Sequence, residues 1–389
     1  MMISKRVNAL SDSPTLAMNQ KVSELKSEGK DVISLGVGEP DFPTPIYIKY
    51  AAIKALNKNM TKYTVSSGTP TLKKAIIDKF RNEYNLNYTP DNILVSAGAK
   101  HALWNSIFTL LNEGDEAIIF SPYWVSYPEQ IKIANARPVI VETDSDNEFQ
   151  PKIDDIKKAI TKKTKLILLN SPNNPTGAVY SEKFIKDVTD LARKNDLWII
   201  SDEIYEKIIY DGVEHHNIAN YYKEKTIIIN GVSKAYSMTG WRIGYAAGPK
   251  EVISQMAKLQ GQVTSCPNSI AQYASQIAIS DEQEELNIMY EQFKLRRDYI
   301  VDRLNNIDGI ECKKPKGTFY VFCDVEELMK KMNFNNTDEV VNFLLDKANV
   351  ATVSSNAFGY KNFIRMSYAN SMENIEEAMD RIERILNEK

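Results

Sequence analysis

The sequence predicts an α/β fold: a mainly parallel central sheet flanked by helices, with a smaller α+β domain built from both chain ends. Three observations carry this. Short apolar runs with the composition of strands recur through the middle of the chain. Helical patterns separate most of them, the alternation that gives right-handed crossovers and a parallel sheet. The two ends break the alternation and carry helices with one apolar face.

The elements follow in order. Residues 14–30 read as a short helix. From Thr71 onward, Leu72, Ile76, Phe80 and Tyr84 recur at helix spacing, so one face of that segment is apolar. Strand-like runs come at 93–95, 116–120, 138–142, 165–170, 197–201, 226–230 and 243–247. None of the separations has the composition of a linker, and there are no repeats. From Asp281 a long charged helix carries Leu286, Met289, Phe293, Ile300 and Leu304, and leads out of the sheet domain. The tail ends in another helix, with Ile375, Ala378, Met379, Ile382 and Leu386 on one face. A small domain made from both ends would bury that face. The expected division is a large domain at 46–285 and a small one from 1–45 with 286–389.

Composition narrows the function classes. The chain has 389 residues, enough for two or three domains and a large core. A net charge of −3 with no basic block gives no footprint for nucleic acid. Cys266, Cys312 and Cys323 are too scattered for a disulfide framework or a zinc site, and suit a reducing compartment. His215 and His216 follow an acidic turn and read as a solvated loop, so no metal is expected. The N-terminal segment lacks the apolar core of a signal peptide. No apolar run reaches the length that crosses a bilayer. A cytoplasmic protein with neither a membrane nor a nucleic-acid partner is the expectation.

Chemistry concentrates around Lys234, in Gly231-Val232-Ser233-Lys234-Ala235-Tyr236-Ser237-Met238-Thr239-Gly240-Trp241-Arg242-Ile243-Gly244-Tyr245. The lysine follows a strand-like run, and Arg242 sits eight residues later among glycines and small hydroxyl residues. Glycines let the backbone turn tightly and approach a ligand. A desolvated lysine can lose its proton near neutral pH and form a Schiff base with an aldehyde. Arg242 and Ser233 can hold a phosphate. An aldehyde and a phosphate on one small molecule describe pyridoxal 5′-phosphate. A surface lysine before a loop is the plain alternative in a chain with 48 lysines and arginines.

Two more segments bear on this. Leu197-Trp198-Ile199-Ile200-Ser201-Asp202-Glu203-Ile204-Tyr205 is a buried-strand pattern ending on an acid. Ligands of an open parallel sheet sit beyond the carboxyl ends of its strands. An aspartate there can pair with a protonated pyridine nitrogen. It can equally be an N-cap. Upstream, Lys165-Leu166-Ile167-Leu168-Leu169-Asn170 runs into Ser171-Pro172-Asn173-Asn174-Pro175-Thr176-Gly177. The prolines fix that turn, and Asn174 could present its amide to a ring hydroxyl. An ordinary strand-to-helix loop reads the same way.

The order Asn174, Asp202, Lys234, Arg242, each after its own strand-like run, resembles the class I aminotransferases of the fold-type I pyridoxal-phosphate enzymes. Within them the match is to the bacterial aspartate aminotransferase branch, some members of which also accept aromatic or prephenate-type substrates. The resemblance spans nearly the whole chain. It includes Val37-Gly38-Glu39-Pro40-Asp41-Phe42 and Ser121-Pro122-Tyr123-Trp124. It ends with Gly317-Thr318-Phe319-Tyr320 and Ile364-Arg365-Met366-Ser367-Tyr368-Ala369. A nicotinamide fold is excluded, because Glu39-Pro40-Asp41 follows Gly36-Val37-Gly38 where a glycine opening a helix is required. A pyridoxal-phosphate-binding transcription regulator would need a basic recognition helix, which this chain lacks.

The resemblance implies a set of roles. Val95-Ser96-Ala97-Gly98-Ala99-Lys100 is a strand end opening onto a helix, where backbone N–H groups bind anions. In the family this turn holds the phosphate, with Ser233 and Arg242 completing the cup; the Lys100 ammonium could equally face solvent. Trp124 would stack on the pyridine face. Asp202 would hold the ring nitrogen, while Tyr205 and Asn174 would share the ring oxygen. Lys234 would bind the cofactor, then act as the base in a ping-pong exchange between an amino acid and a 2-oxo acid such as 2-oxoglutarate. Arg365 on a strand's inner face needs an anion, and the substrate's α-carboxylate fits its planar fork, with Gly38 approaching the same group. An internal salt bridge is the other way to satisfy it. Tyr63 matches a residue that reaches the phosphate of the neighbouring subunit, which implies a homodimer with shared sites.

The side-chain pocket is the least legible part. An acidic substrate needs a cation for its second carboxylate, and Ala102-Leu103-Trp104-Asn105-Ser106-Ile107-Phe108-Thr109 supplies none. Thr15 and Trp124 could still donate hydrogen bonds. Aspartate is the expected amino donor, with aromatic or broad donors, or a C–S β-lyase on the same fold, as alternatives.

Overall fold

In the computed structural model, residues 3–281 and 284–387 are described. Seven strands form the central sheet: β1 (Ile93–Ser96), β2 (Glu116–Ser121), β3 (Arg137–Glu142), β4 (Thr164–Asn170), β5 (Trp198–Asp202), β6 (Thr226–Gly231) and β7 (Gly244–Ala247). Each falls within about one residue of an apolar run in the sequence. Their spatial order is β1-β7-β6-β5-β4-β2-β3. All are parallel except β7, which runs antiparallel to β1 and β6.

The sheet is covered on both faces, as a parallel sheet must be. Along each central strand neighbouring residues go to opposite sides. Leu166, Leu168 and Ile200 pack with Leu103 and Ile107 of the helix Ala99–Leu110. Ile167, Leu169 and Ile199 pack with Phe184 and Val188 of the helix Glu182–Lys194. Ser181 caps that helix by accepting the Phe184 N–H at 3.3 Å. Ile199 and Ile200 are fully buried, each worth about 1.5–3 kcal/mol of transfer free energy.

The chain ends meet in a second, smaller assembly. Ile33–Ser34 pairs in parallel with Val350–Ala351. Beside it lie β8 (Tyr320–Asp324), β9 (Val353–Ser354) and β10 (Phe363–Ser367), antiparallel in the order β9-β10-β8. The final helix, Met372–Asn387, buries Ile375, Ala378, Met379 and Ile382, the face expected from its spacing, with Leu386 half-buried. The long helix Glu284–Asn305 buries Leu286, Met289, Phe293, Ile300 and Leu304. It begins later than its charge pattern suggests: Asp281 lies in a bend, and residues 282 and 283 are outside the described residues. The first helix of any length, Pro14–Ser27, also ends short of residue 30, because a turn takes over before Gly29.

One expectation is corrected here. His215 does not sit in a solvated loop. Its ring is buried, with Nε2 3.0 Å from Glu203 Oε2. Burial opposes its charging, but the Glu203 and Glu206 carboxylates more than offset that and raise its pKa. Glu203, Glu206 and His215 converge closely enough to hold an ion. Their needs are already met, because Asn217 donates to Glu203, Tyr84 donates to Glu206, and Lys79 pairs with Glu206.

Candidate active site

β4, β5 and β6 end at one edge of the sheet, and a cleft of about 350 Å³ opens there. Gly38, Ala99, Lys100, Trp124, Asn174, Asp202, Tyr205, Ser233, Lys234, Arg242 and Arg365 all line it. Eleven positions spread over more than 300 residues of sequence thus share one wall. Gly98 sits directly behind Ala99. Tyr63 does not line the cleft, and its side chain stands in solvent, 90% exposed.

Lys234 follows β6 on a short loop and is only partly exposed. Its Nζ donates to the Gly38 carbonyl at 2.5 Å. Among the described residues it has no carboxylate at ion-pair distance. Burial pushes its pKa down to about 8; Glu39 opposes this, while Arg365 and Arg242 push the same way. A lysine so placed is an amine nucleophile near neutral pH.

Asp202 ends β5 and is buried. Burial raises its pKa to about 6, against the hydrogen bonds it accepts from Tyr127 Oη at 2.8 Å and the Ile204 N–H at 3.3 Å. Tyr127 escaped the sequence reading, since nothing local ties it to an acid 75 residues away. Asn170, at the end of β4, was also missed. Its Nδ2 donates to the carbonyls of Asp202 at 3.0 Å and Pro172 at 3.2 Å, and its Oδ1 accepts the Asn174 N–H at 2.9 Å. One buried amide therefore fixes the turn that carries Asn174 to the strand that carries Asp202.

Arg365 lies in the middle of β10 and is 2% exposed. It makes no salt bridge among the described residues, so the internal-pair alternative fails. Its Nη1 donates to Asn174 Oδ1 at 2.9 Å and its Nη2 to the Gly36 carbonyl at 2.8 Å. Its Nε is buried with no hydrogen-bond partner. An always-charged group held only by neutral oxygens is an anion receptor.

A second anion cup lies where the helix Ala99–Leu110 begins. Gly98 adopts φ +87°, and a side chain there would come within 2.2 Å of Arg242 Nη2. The glycine is what lets the guanidinium close on the helix start. Arg242 itself is in the left-handed region, φ +57°, and its Nη1 donates to the Thr239 carbonyl at 2.7 Å. Ser233 is buried at the same cleft. Lys100 has its ammonium 4.8 Å from the Trp124 ring centre. Partial burial, then the nearby Arg242 charge, holds its pKa below the ordinary lysine value.

A mostly parallel sheet whose strand ends gather a lysine of lowered pKa, a buried acid and two positively charged groups fit to hold anions forms a candidate enzyme site. The profile of the family described as Aminotransferase class I and II matches residues 30–382, and the chain belongs to that family. It is 48% identical over 389 residues to an aspartate aminotransferase of Geobacillus stearothermophilus, covering 99% of both chains. It is 44% identical to an aspartate/prephenate aminotransferase of Nitrosomonas europaea, over 99% of this chain and all of that one. The aspartate aminotransferase of Rhizobium meliloti superposes with a TM-score of 0.95 at 41% identity, covering 100% of this chain and 99% of that chain. The Thermus thermophilus aspartate aminotransferase with maleate gives 0.95 at 40% identity, with 99% and 100% coverage. Among the described residues, no helix is long and apolar enough to cross a membrane.

Proposed function

We propose that this chain binds pyridoxal 5′-phosphate and transfers the amino group of aspartate to a 2-oxo acid such as 2-oxoglutarate. The observation that carries this is the pairing of Lys234, an amine without a carboxylate partner, with the buried, under-solvated Asp202 across one cleft. The cleft offers residues that would hold each part of the cofactor: Gly98, Ala99, Ser233 and Arg242 the phosphate, Asp202 the ring nitrogen, Trp124 the ring face, and Tyr205 with Asn174 the ring oxygen. When bound, it supplies an electron sink for the substrate's Cα electrons. Asp202, costly to ionise alone, is stabilised once a ring N–H⁺ lies against it. Lys234 Nζ, no longer held at the Gly38 carbonyl, carries the Cα proton. Arg365 holds the α-carboxylate through the prongs now resting on Asn174 and Gly36, with Gly38 beside it. Tyr127 keeps Asp202 oriented.

The donor side chain is read by Lys100. The helix after the phosphate turn has no later cation, but Lys100, its second residue, turns its ammonium into the cleft over Trp124. A charge resting on a ring face, with no carboxylate partner among the described residues, is open to a second carboxylate. Relatives named for aspartate, and one solved with maleate, itself a dicarboxylate, support an acidic donor. A donor panel tests it. The parent should turn over aspartate with 2-oxoglutarate. Lys100→Met should raise KM for aspartate by at least about tenfold, while KM for phenylalanine stays within about twofold. An equal loss for both donors would return Lys100 to the cofactor.

The active unit is proposed to be a homodimer. Ile46, Tyr50, Ile53 and Leu56 form an exposed apolar stripe along the helix Ile46–Asn57, with Tyr63 and Val65 beyond it. A second copy covering this stripe would bring Tyr63 to the neighbouring cleft. Light scattering should give twice 44.2 kDa. Tyr63→Phe should weaken cofactor affinity by about tenfold, the worth of one hydrogen bond to a charged group. A fully active monomer, or unchanged affinity in Tyr63→Phe, removes the shared site. The division at residues 46 and 286 is likewise proposed, supported by the pairing of Ile33–Ser34 with Val350–Ala351. A cytoplasmic location is supported by three cysteines that are all free thiols.

A further inference from the structure

Tyr320 opens β8, on the smaller assembly, yet its side chain reaches the large sheet's cleft. It is 1% exposed and touches three groups of the site. Its Oη is 2.9 Å from Tyr205 Oη. The Arg365 guanidinium lies 4.4 Å from its ring centre. A side chain on Gly38 would come within 2.7 Å of its hydroxyl, so Gly38 can approach the cleft only because it has no Cβ.

We propose that Tyr320 is a positioning residue that sets Tyr205 through its hydroxyl and Arg365 through its ring. The inference rests on the proposed function, since it concerns how that site is tuned. The two halves have separate physical causes. Tyr205 has one proton to donate. If that proton goes to an anionic ring oxygen, the Tyr205 oxygen is left as an acceptor, and Tyr320 Oη is the donor placed to fill it. A donor that itself accepts a hydrogen bond donates more strongly, so Tyr320 deepens the stabilisation of that anion. The ring acts differently. Arg365 presents its edge to Asn174 and Gly36, and the Tyr320 ring, nearer than the Phe358 ring at 5.0 Å, supports its guanidinium by cation–π contact. A residue on the smaller assembly thereby aligns the cofactor's oxygen end with the substrate's carboxylate end.

Two substitutions separate the halves. Tyr320→Phe removes the hydroxyl and keeps the ring. In the holoenzyme, the pH titration of cofactor absorbance should move upward by about half a unit, roughly a threefold rise in proton affinity. KM for the amino donor should stay within about twofold. Tyr320→Leu removes the ring as well, and KM should rise by roughly three- to tenfold. An unmoved titration in Tyr320→Phe overturns the hydroxyl role. An unmoved KM in Tyr320→Leu overturns the ring role. If the leucine protein does not fold, Tyr320→Met, also flexible and apolar, serves the same comparison. Loss of cofactor absorbance in the unsubstituted protein would instead overturn the cofactor assignment, so the two failures are distinguishable.

Discussion

Alanine in place of Lys234 is expected to lower transamination by at least ~10²–10⁴-fold, the range for loss of a general base. The same change should abolish borohydride trapping of the cofactor on the peptide that contains Lys234. Both follow from the geometry, because among the described residues the other lysine of the cleft, Lys100, rests over Trp124, while Lys234 Nζ is held at the Gly38 carbonyl. A pH experiment tests the physical cause. Only the neutral amine attacks an aldehyde, and burial brings this lysine's pKa to about 8. Cofactor capture by the apo-protein should therefore rise with pH and level off above about 8. An ordinary lysine would keep rising towards its unperturbed value of about 10.4. Parent-like turnover in Lys234→Ala would end the assignment, and a rise without a plateau would end the desolvation account.

Asparagine in place of Asp202 is expected to cost about 10²–10³-fold in rate, as when one preorganised charge at a reacting centre is lost. The fold should not suffer. Tyr127 can donate to the asparagine's carbonyl as it does to the carboxylate. The carboxyl's pKa is raised by burial to about 6 in the folded chain. The sign of the linkage follows. Between the unfolded carboxyl value and about 6 the folded state binds the extra proton, so stability falls as pH rises through that window. Above it the full penalty, on the order of 2–3 kcal/mol, weighs on the cofactor-free protein. Cofactor-free Asp202→Asn should thus melt at or above the parent's temperature at pH 8, with the difference vanishing near pH 4. A lower melting temperature at pH 8 would mean that Asp202 holds the fold. Activity within a few-fold of the parent would mean that another acid meets the ring.

Strands and site residues differ in how they could be read. The central strands were legible because a parallel strand buried on both faces is a continuous apolar run, and β4 and β5 are such runs. β7 was legible as a strand but not in its direction, since an antiparallel neighbour changes hydrogen bonding and not side-chain composition. Asp202 and Arg365 were legible because each ends or interrupts an apolar run with a group that is costly to bury there, and Asn174 and Lys234 because each follows such a run within a few residues. His215 misled, because one acidic neighbour in sequence cannot disclose a buried Glu203 in space.

The sequence by itself determined which segments are strands, which faces of the terminal helices are apolar, and which polar residues stand at strand ends. These are local properties, set by side-chain periodicity and by the cost of burying charge. Only the tertiary structure decided the partners: Tyr127 on Asp202, Asn170 across two strands, Lys100 over Trp124, and Tyr320 between Tyr205 and Arg365. Each joins residues from separate segments whose approach is fixed by sheet order and by packing of the chain ends. Contacts of that kind leave no period in the chain, because the free energy that selects them belongs to the assembled core and not to any one segment.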